Sequence, residues 1–219
     1  MLVRSLLSFL LAESALELVP KEISGHPSVR AWCRRFGRKP SEAILDATYM
    51  HTAMTRLRER ERRGRPDIVH LFLLSVLESP AGAKNLVDVY VHTREDLVFY
   101  VEPGTHVPRA YTRFVGLFSR LLRGEDTPRI HPLEIGVDEV VEQKKKAGYT
   151  VVLMHEDGRF GKPEDVLQED SLVIVGGFPH GDFKKDYGED VRLSISDISL
   201  PAWVVGYEVV AGWERLYLF

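Results

Sequence analysis

Hydrophobic positions along this chain fall into short apolar runs separated by longer amphipathic stretches. Residues 2–11 are almost wholly apolar and predict a buried strand. Residues 12–18 carry Glu13 and Glu17 at helical spacing and predict a helix that stops at Pro20. A short basic helix is predicted over 26–38, with a proline near its start. Residues 41–57 predict a longer amphipathic helix with Ser41 as its cap. A charge run fills 58–65. Residues 68–77 are apolar and β-branched at their start, which fits a central strand, with a helix as the alternative. Residues 86–92 and 97–102 alternate and are joined by Thr93-Arg94-Glu95-Asp96, the pattern of a hairpin. Helices are predicted over 108–122 and 137–146, the second closed by Gly148, and short buried strands over 150–154 and 171–175. The last helix, 200–219, is apolar nearly all round and needs partners on several sides, either within the monomer or in a second subunit. Strands alternating with helices predict a single α/β domain, 1–219, with a largely parallel sheet.

Bulk properties narrow the classes. A net charge of −3 gives no overall field favouring nucleic acid, so a basic face must be local. A single cysteine, Cys33, excludes an internal disulfide framework and a cysteine metal cluster, and fits a reducing compartment. The apolar start is short, passes directly into Glu13 and Glu17, and lacks a small-x-small cleavage site, so it reads as a core strand rather than a signal peptide. The expectation is a soluble, cytoplasmic protein with no membrane contact.

Candidate chemistry concentrates in three places. Two strands near the C-terminus break into loops of small residues, VIVGGFPHGDF and VRLSISDISLPAW. The first contains Gly176, Gly177 and Gly181, where a flat ligand can approach bare backbone. Two such loops followed by a helix outline a nucleotide-sized pocket. Neither GxGxxG nor a phosphate loop is present. In ERRGRPDIVH, Gly64 and Pro66 set Arg65 and Asp67 on a fixed turn. Arg65 suits a phosphate or a base edge, while Asp67 can hold that fork or act as a base; a surface ion pair is the plainer reading. In HVPRAYTRFVGLFSRLLRG no acid accompanies Arg109, Arg113, Arg120 and Arg123. Arg109 and Arg113 are expected on one helix face, and Tyr111 can stack on an unpaired base. Asp46 and His51 lie five apart with no third ligand, so no metal site is expected there, only a structural or supporting pair. His155 follows the 150–154 strand at a loop mouth, where it can border a cofactor, and His180, inside the glycine loop, is similarly placed. No Ser–His–Asp or Cys–His arrangement is readable.

The ordered elements ALELVP, HPSV, KPSEAILDATYMHTAM, RRGRPDIVH, VYVHT, VPRAYTRFVGL, GGFPHGDF and SISDISLPAW span almost the whole chain. Together they resemble the Nep/Emg family of small-subunit ribosomal RNA pseudouridine N1-methyltransferases, within the SPOUT superfamily. The length is similar to its compact, archaeal-type members. The resemblance implies an α/β fold with a C-terminal trefoil knot, a family-specific hairpin/helix insertion over roughly 85–125, and a homodimer. It implies S-adenosylmethionine as cofactor, with small-subunit rRNA as substrate and ribosomal proteins or assembly factors as further partners. It carries cofactor contacts onto Gly176, Gly177, Gly181, Ser194, Ile195, Ser196, Asp197, Ile198, Ser199 and Leu200. RNA contacts fall on Arg65, Arg109 and Arg113, with Asp67 steadying Arg65. His106 stands where the family often has an arginine, and Ile198-Ser199-Leu200-Pro201 replaces the usual Tyr-Pro-Leu-Ser run. Two neighbouring readings keep the same loops: an assembly factor whose methylation is secondary, and a SPOUT enzyme acting on another RNA.

Overall fold

The computed structural model describes residues 6–219. Seven strands form one sheet in the order β4-β3-β2-β1-β6-β5-β7. They are β1 (Leu7–Ser14), β2 (Val87–Thr93), β3 (Val98–Val101), β4 (Ile130–Leu133), β5 (Thr150–Phe160), β6 (Ser171–Gly176) and β7 (Val191–Ser194). Five of them, from β2 through β1, β6 and β5 to β7, run parallel. Strands β3 and β4 add an antiparallel edge. The 86–102 hairpin is therefore built into the main sheet, with β2 paired directly to β1.

Among the described residues the α-helices are α1 (Pro27–Phe36), α2 (Ala47–Met54), α3 (Pro66–Leu77), α4 (Pro80–Ala83), α5 (Tyr111–Leu121), α6 (Val137–Lys146) and α7 (Ala202–Tyr217). Strand periodicity decides which helix covers which face. Phe9 and Leu11 of β1 join α3, α5 and α7 in the larger core, while Leu10 and Ala12 join α6 on the other side. A third cluster unites α1 and α2 around Val29, Cys33 and Met50. Helix α7 lies so close on α3 that a Cβ on Gly206 would sit 2.6 Å from Phe72. No helix of the described residues is long and apolar enough to cross a membrane.

Four expected elements are corrected. Residues 68–77 belong to helix α3, the alternative assignment; its run is apolar because sheet, α5 and α7 all pack on it. The helix expected over 12–18 does not form. Strand β1 continues to Ser14 through Glu13 at φ 51°, and Leu18 then bridges to Ile44. Glu13 and Glu17 are spaced by their ion-pair partners, not by helical turns. The 41–57 helix is broken: Ala43 is extended, and α2 starts only at Ala47, capped by Asp46, whose Oδ1 accepts from Thr48 N at 2.9 Å. Asp46, not Ser41, is the cap. Helix α5 begins at Tyr111, so Arg109 sits in the preceding bend and does not share a helix face with Arg113. Residues 2–5 of the first predicted strand lie outside the described residues.

Candidate cofactor cavity and nucleic-acid face

The chain leaves the sheet in loops at the C-terminal ends of β6 and β7, and bulges out partway along β5. They enclose a cavity of about 730 Å³, within the range of small-molecule sites. Gly176, Gly181, Ser194, Ile195, Ser196, Ile198, Ser199 and Leu200 line it. The third wall is His155, Glu156 and Asp157, thrown out where β5 loses register with β7 between Met154 and Arg159. Trp203 and Val205 of α7 and Ile68 of α3 contribute apolar surface. Gly177 and Asp197 are outside this lining. Asp197 is exposed at the loop tip.

The glycines serve the loop more than a ligand. A Cβ on Gly177 would stand 2.8 Å from Ser14 Cα, because Gly177 exchanges backbone hydrogen bonds with Ala12 and Ala15 at the end of β1. Gly181 has φ 87°, and a Cβ there would meet Arg62 Nη1 at 2.8 Å. Arg62 is the organiser of this loop. Its Nη1 donates to the carbonyls of His180 and Asp182, its Nη2 to Glu13 Oε2, and its guanidinium lies 4.0 Å over the Phe178 ring. Glu13 Oε1 accepts from Lys184 N, Lys185 N and Tyr187 Oη. The next arginine, Arg63, makes a buried bidentate pair with Glu17. Two adjacent members of the charge run are thus fixed to the end of β1 and to the segment that follows it. His155 accepts from Asp157 N at Nδ1, which leaves Nε2 to donate to Asp182 Oδ1 at 2.8 Å. That hydrogen bond holds the Asp182 carboxyl below its ordinary range.

Arg65 also lines the cavity. It caps α3, with Pro66 at the first helical position, and its N–H donates to Ala15 O at 3.0 Å. Its Nε and Nη2 donate to Asp67 Oδ1 and Oδ2 at 2.8 and 2.7 Å. The fork–fork pairing fixes the guanidinium plane and occupies both carboxylate oxygens. One turn further along α3, buried His70 donates from Nε2 to Pro108 O at 2.8 Å and stacks on Phe114 at 4.4 Å. This ties the RGRPDIVH segment to the arginine loop, a role for His70 that the motif contained but that charge and spacing did not reveal. Arg113 and His106 are exposed, and Arg109 is 81% exposed while touching Glu78 Oε1 at 2.8 Å. Tyr111 donates to Asp46 Oδ2 at 2.5 Å, so Asp46 pairs with Tyr111 rather than His51.

An α/β sheet whose parallel strand ends carry a nucleoside-sized cavity, with Arg65 in its lining, fits a cofactor-dependent enzyme. The chain belongs to the EMG1/NEP1 methyltransferase family, whose sequence model matches residues 9–214. It is 41% identical to the "Ribosomal RNA small subunit methyltransferase Nep1" of Thermococcus onnurineus, over 97% of this chain and all of that protein. It is 43% identical to the protein of that name from Thermococcus sibiricus, over 98% of this chain and all of the relative. The crystal structure of Archaeoglobus fulgidus Nep1 bound to S-adenosylhomocysteine superposes with a TM-score of 0.88 at 37% identity, covering 97% of this chain and 99% of that one.

Proposed function

We propose that this protein transfers the methyl group of S-adenosylmethionine to N1 of a pseudouridine in small-subunit rRNA, as a cytoplasmic homodimer taking part in small-subunit assembly. The observation that supports the reading is Arg65: it lines the cofactor-sized cavity, and the helix it starts is tied through His70 to Pro108, next to Arg109. The relatives' names and the product bound in the Archaeoglobus fulgidus protein support the same reaction.

The residues present fit the cofactor. Val175, Ile195, Leu200 and Trp203 offer apolar walls for a flat ring, and the 176–181 and 194–199 loops offer backbone donors and acceptors. Glu156, Asp157 and Asp182 suit a cationic ligand. When bound, S-adenosylmethionine supplies a methyl group made electrophilic by its sulfonium. As N1 takes the methyl, S-adenosylhomocysteine leaves and the N1 proton passes to solvent, so the chain's own task is mainly alignment of N1 with that methyl. The target base must leave its stack to reach the cavity. Arg65 is the residue to hold it or its phosphate, and Arg109, Arg113 and His106 to hold the flanking strand. Asp67 orients Arg65 rather than taking the N1 proton, because both its oxygens already accept from that guanidinium.

The C-terminal loops are proposed to form the trefoil knot of the superfamily, within one domain whose 85–125 span carries part of the RNA face. Exposed Tyr207, Leu216 and Phe219 on and beyond α7 favour a second copy of the chain as its cover. The test is Arg65→Ala, assayed for two ligands by calorimetry. RNA affinity should fall at least tenfold while S-adenosylhomocysteine affinity stays within about twofold. Equal loss of both would show that Arg65 supports the cavity instead of contacting RNA.

A further inference from the structure

A second pocket lies between α1, α2 and the start of α5, away from the cofactor cavity. Its volume is about 210 Å³, below the roughly 300–1,000 Å³ of drug-sized ligand sites and suited to a single flat ring. Trp32, Phe36, Tyr49 and Tyr111 wall it, and Arg38 and Asp46 supply polar groups at its lining. Phe36 packs on Trp32 at 4.8 Å and faces Tyr49 edge-on at 6.4 Å. Phe36 and Tyr49 are nevertheless left 37% and 41% exposed, so aromatic surface is presented rather than sealed.

Charge in the segment that carries Trp32, Phe36 and Arg38 is one-sided. No acid occurs between Ile23 and Ser41, while Arg30, Arg34, Arg35, Arg38 and Lys39 do. All five are exposed, and none makes an ion pair among the described residues. Arg65, Arg109, Arg120 and Arg123, by contrast, are all paired with carboxylates. The carboxylates at the pocket are already engaged. Asp46 accepts from Thr48 N and Tyr111 Oη, and Glu42 meets Arg123. Unpaired cations beside exposed aromatic rings are the combination that binds single-stranded nucleic acid: phosphates on the cations, a base stacked on a ring.

The pocket is continuous with the proposed RNA face. Tyr111 forms its wall two residues before Arg113. Ala47, next to Asp46, donates to Gly64 O, next to Arg65. Resting on the proposed function, we infer that this pocket receives one unpaired nucleobase of the same small-subunit rRNA, flanked by phosphates on Arg38, which lines it, and Arg35, whose guanidinium lies 5.5 Å over the Phe36 ring. It would fix the register of the RNA on the enzyme, apart from the base that is methylated.

Gly116 gives a clean probe. It lines the pocket from the middle of α5, and the nearest atom to a Cβ there is Arg38 Nη2 at 3.7 Å, so a larger side chain grows into the cavity. Replacing a helical glycine also favours the helix. Anisotropy titrations with a small-subunit rRNA transcript would compare the wild type, Arg65→Ala, Gly116→Leu, Tyr49→Ala and the double variant Arg35→Ala/Arg38→Ala. The inference predicts that Gly116→Leu and Tyr49→Ala each weaken RNA binding roughly tenfold or more, the loss of one stacked base. The double variant should also lower the slope of log K against log salt by about 1.4, two single-strand phosphates. Affinity for S-adenosylhomocysteine should be unchanged in all three. If Arg65→Ala weakens RNA binding while the three pocket variants bind like the wild type, the inference is overturned, and a pocket for a protein partner gives that same outcome. If Arg65→Ala also binds RNA normally, the RNA reading itself fails along with it.

Discussion

Arg62 donates from Nη2 to Glu13 Oε2 at 2.8 Å and from Nη1 to Asp182 O at 2.5 Å, so one side chain joins the end of the first strand to the glycine loop of the cofactor cavity. Glu13 is 7% exposed and accepts from three further donors in residues 184–187. Loop shape at the cavity therefore depends on a carboxylate more than 160 residues upstream.

Glu13→Gln should uncouple this arrangement. Removing one partner of a buried pair costs about 3–5 kcal/mol, so the melting temperature should drop by several degrees. Affinity for S-adenosylhomocysteine should fall at least tenfold, read by calorimetry on protein that is still folded. An affinity within twofold of wild type would mean that the loop keeps its shape without Glu13.

Asp67→Asn distinguishes orientation from proton transfer. The Arg65–Asp67 pair is more than a third exposed, so stability should change by less than about 1 kcal/mol. An orienting role predicts weaker RNA binding and a modest fall in kcat. A general base predicts a loss of about 10²–10⁴ in kcat with RNA affinity intact. Single-turnover kinetics beside RNA titrations separate the two.

Gly177→Ala should destabilise the fold by about 1–3 kcal/mol, because the new methyl meets the backbone of Ser14 rather than open cavity. Denaturant unfolding checks this. An unchanged midpoint would return Gly177 to the ligand surface.

Stability should also fall on mild acidification. Burial pushes the His92 pKa below its ordinary value; the ring accepts from Glu13 N at Nδ1 and donates from Nε2 to Asp96 as a neutral imidazole. A pKa lower in the folded state means that the unfolded chain binds more protons. The contribution is therefore complete above about pH 6.5 and is lost as pH falls below it. Melting curves between about pH 7.5 and 5.5 should show a decline that His92→Gln flattens. An equal decline in the variant would assign it to other groups.

The sequence displayed the fold's hydrophobic skeleton better than its polar joints. Strands β2, β3 and β6 were legible because alternation or a short buried run leaves few other solutions. Helix α3 was ambiguous because a helix packed on several sides loses its amphipathic stripe; Pro66 and Asp67 at its start were the signals that favoured a helix. Strand β4 was missed because His131 and Pro132 face outward on a short edge and interrupt the apolar pattern. Most of the cavity lining was readable as two small-residue loops. The roles of Arg62 and Glu13 were not, since nothing local in a charge run says which arginine will meet a buried carboxylate far away in the chain.

Methyl transfer to N1 of a pseudouridine is tested most directly with tritiated S-adenosylmethionine. Two small-subunit rRNA hairpins would be compared, identical except for pseudouridine or uridine at the target. Uridine has a glycosidic bond at N1 and no free position there, so label should enter the pseudouridine RNA alone. Equal label in both RNAs, or tight hairpin binding with no transfer to either, would contradict the account.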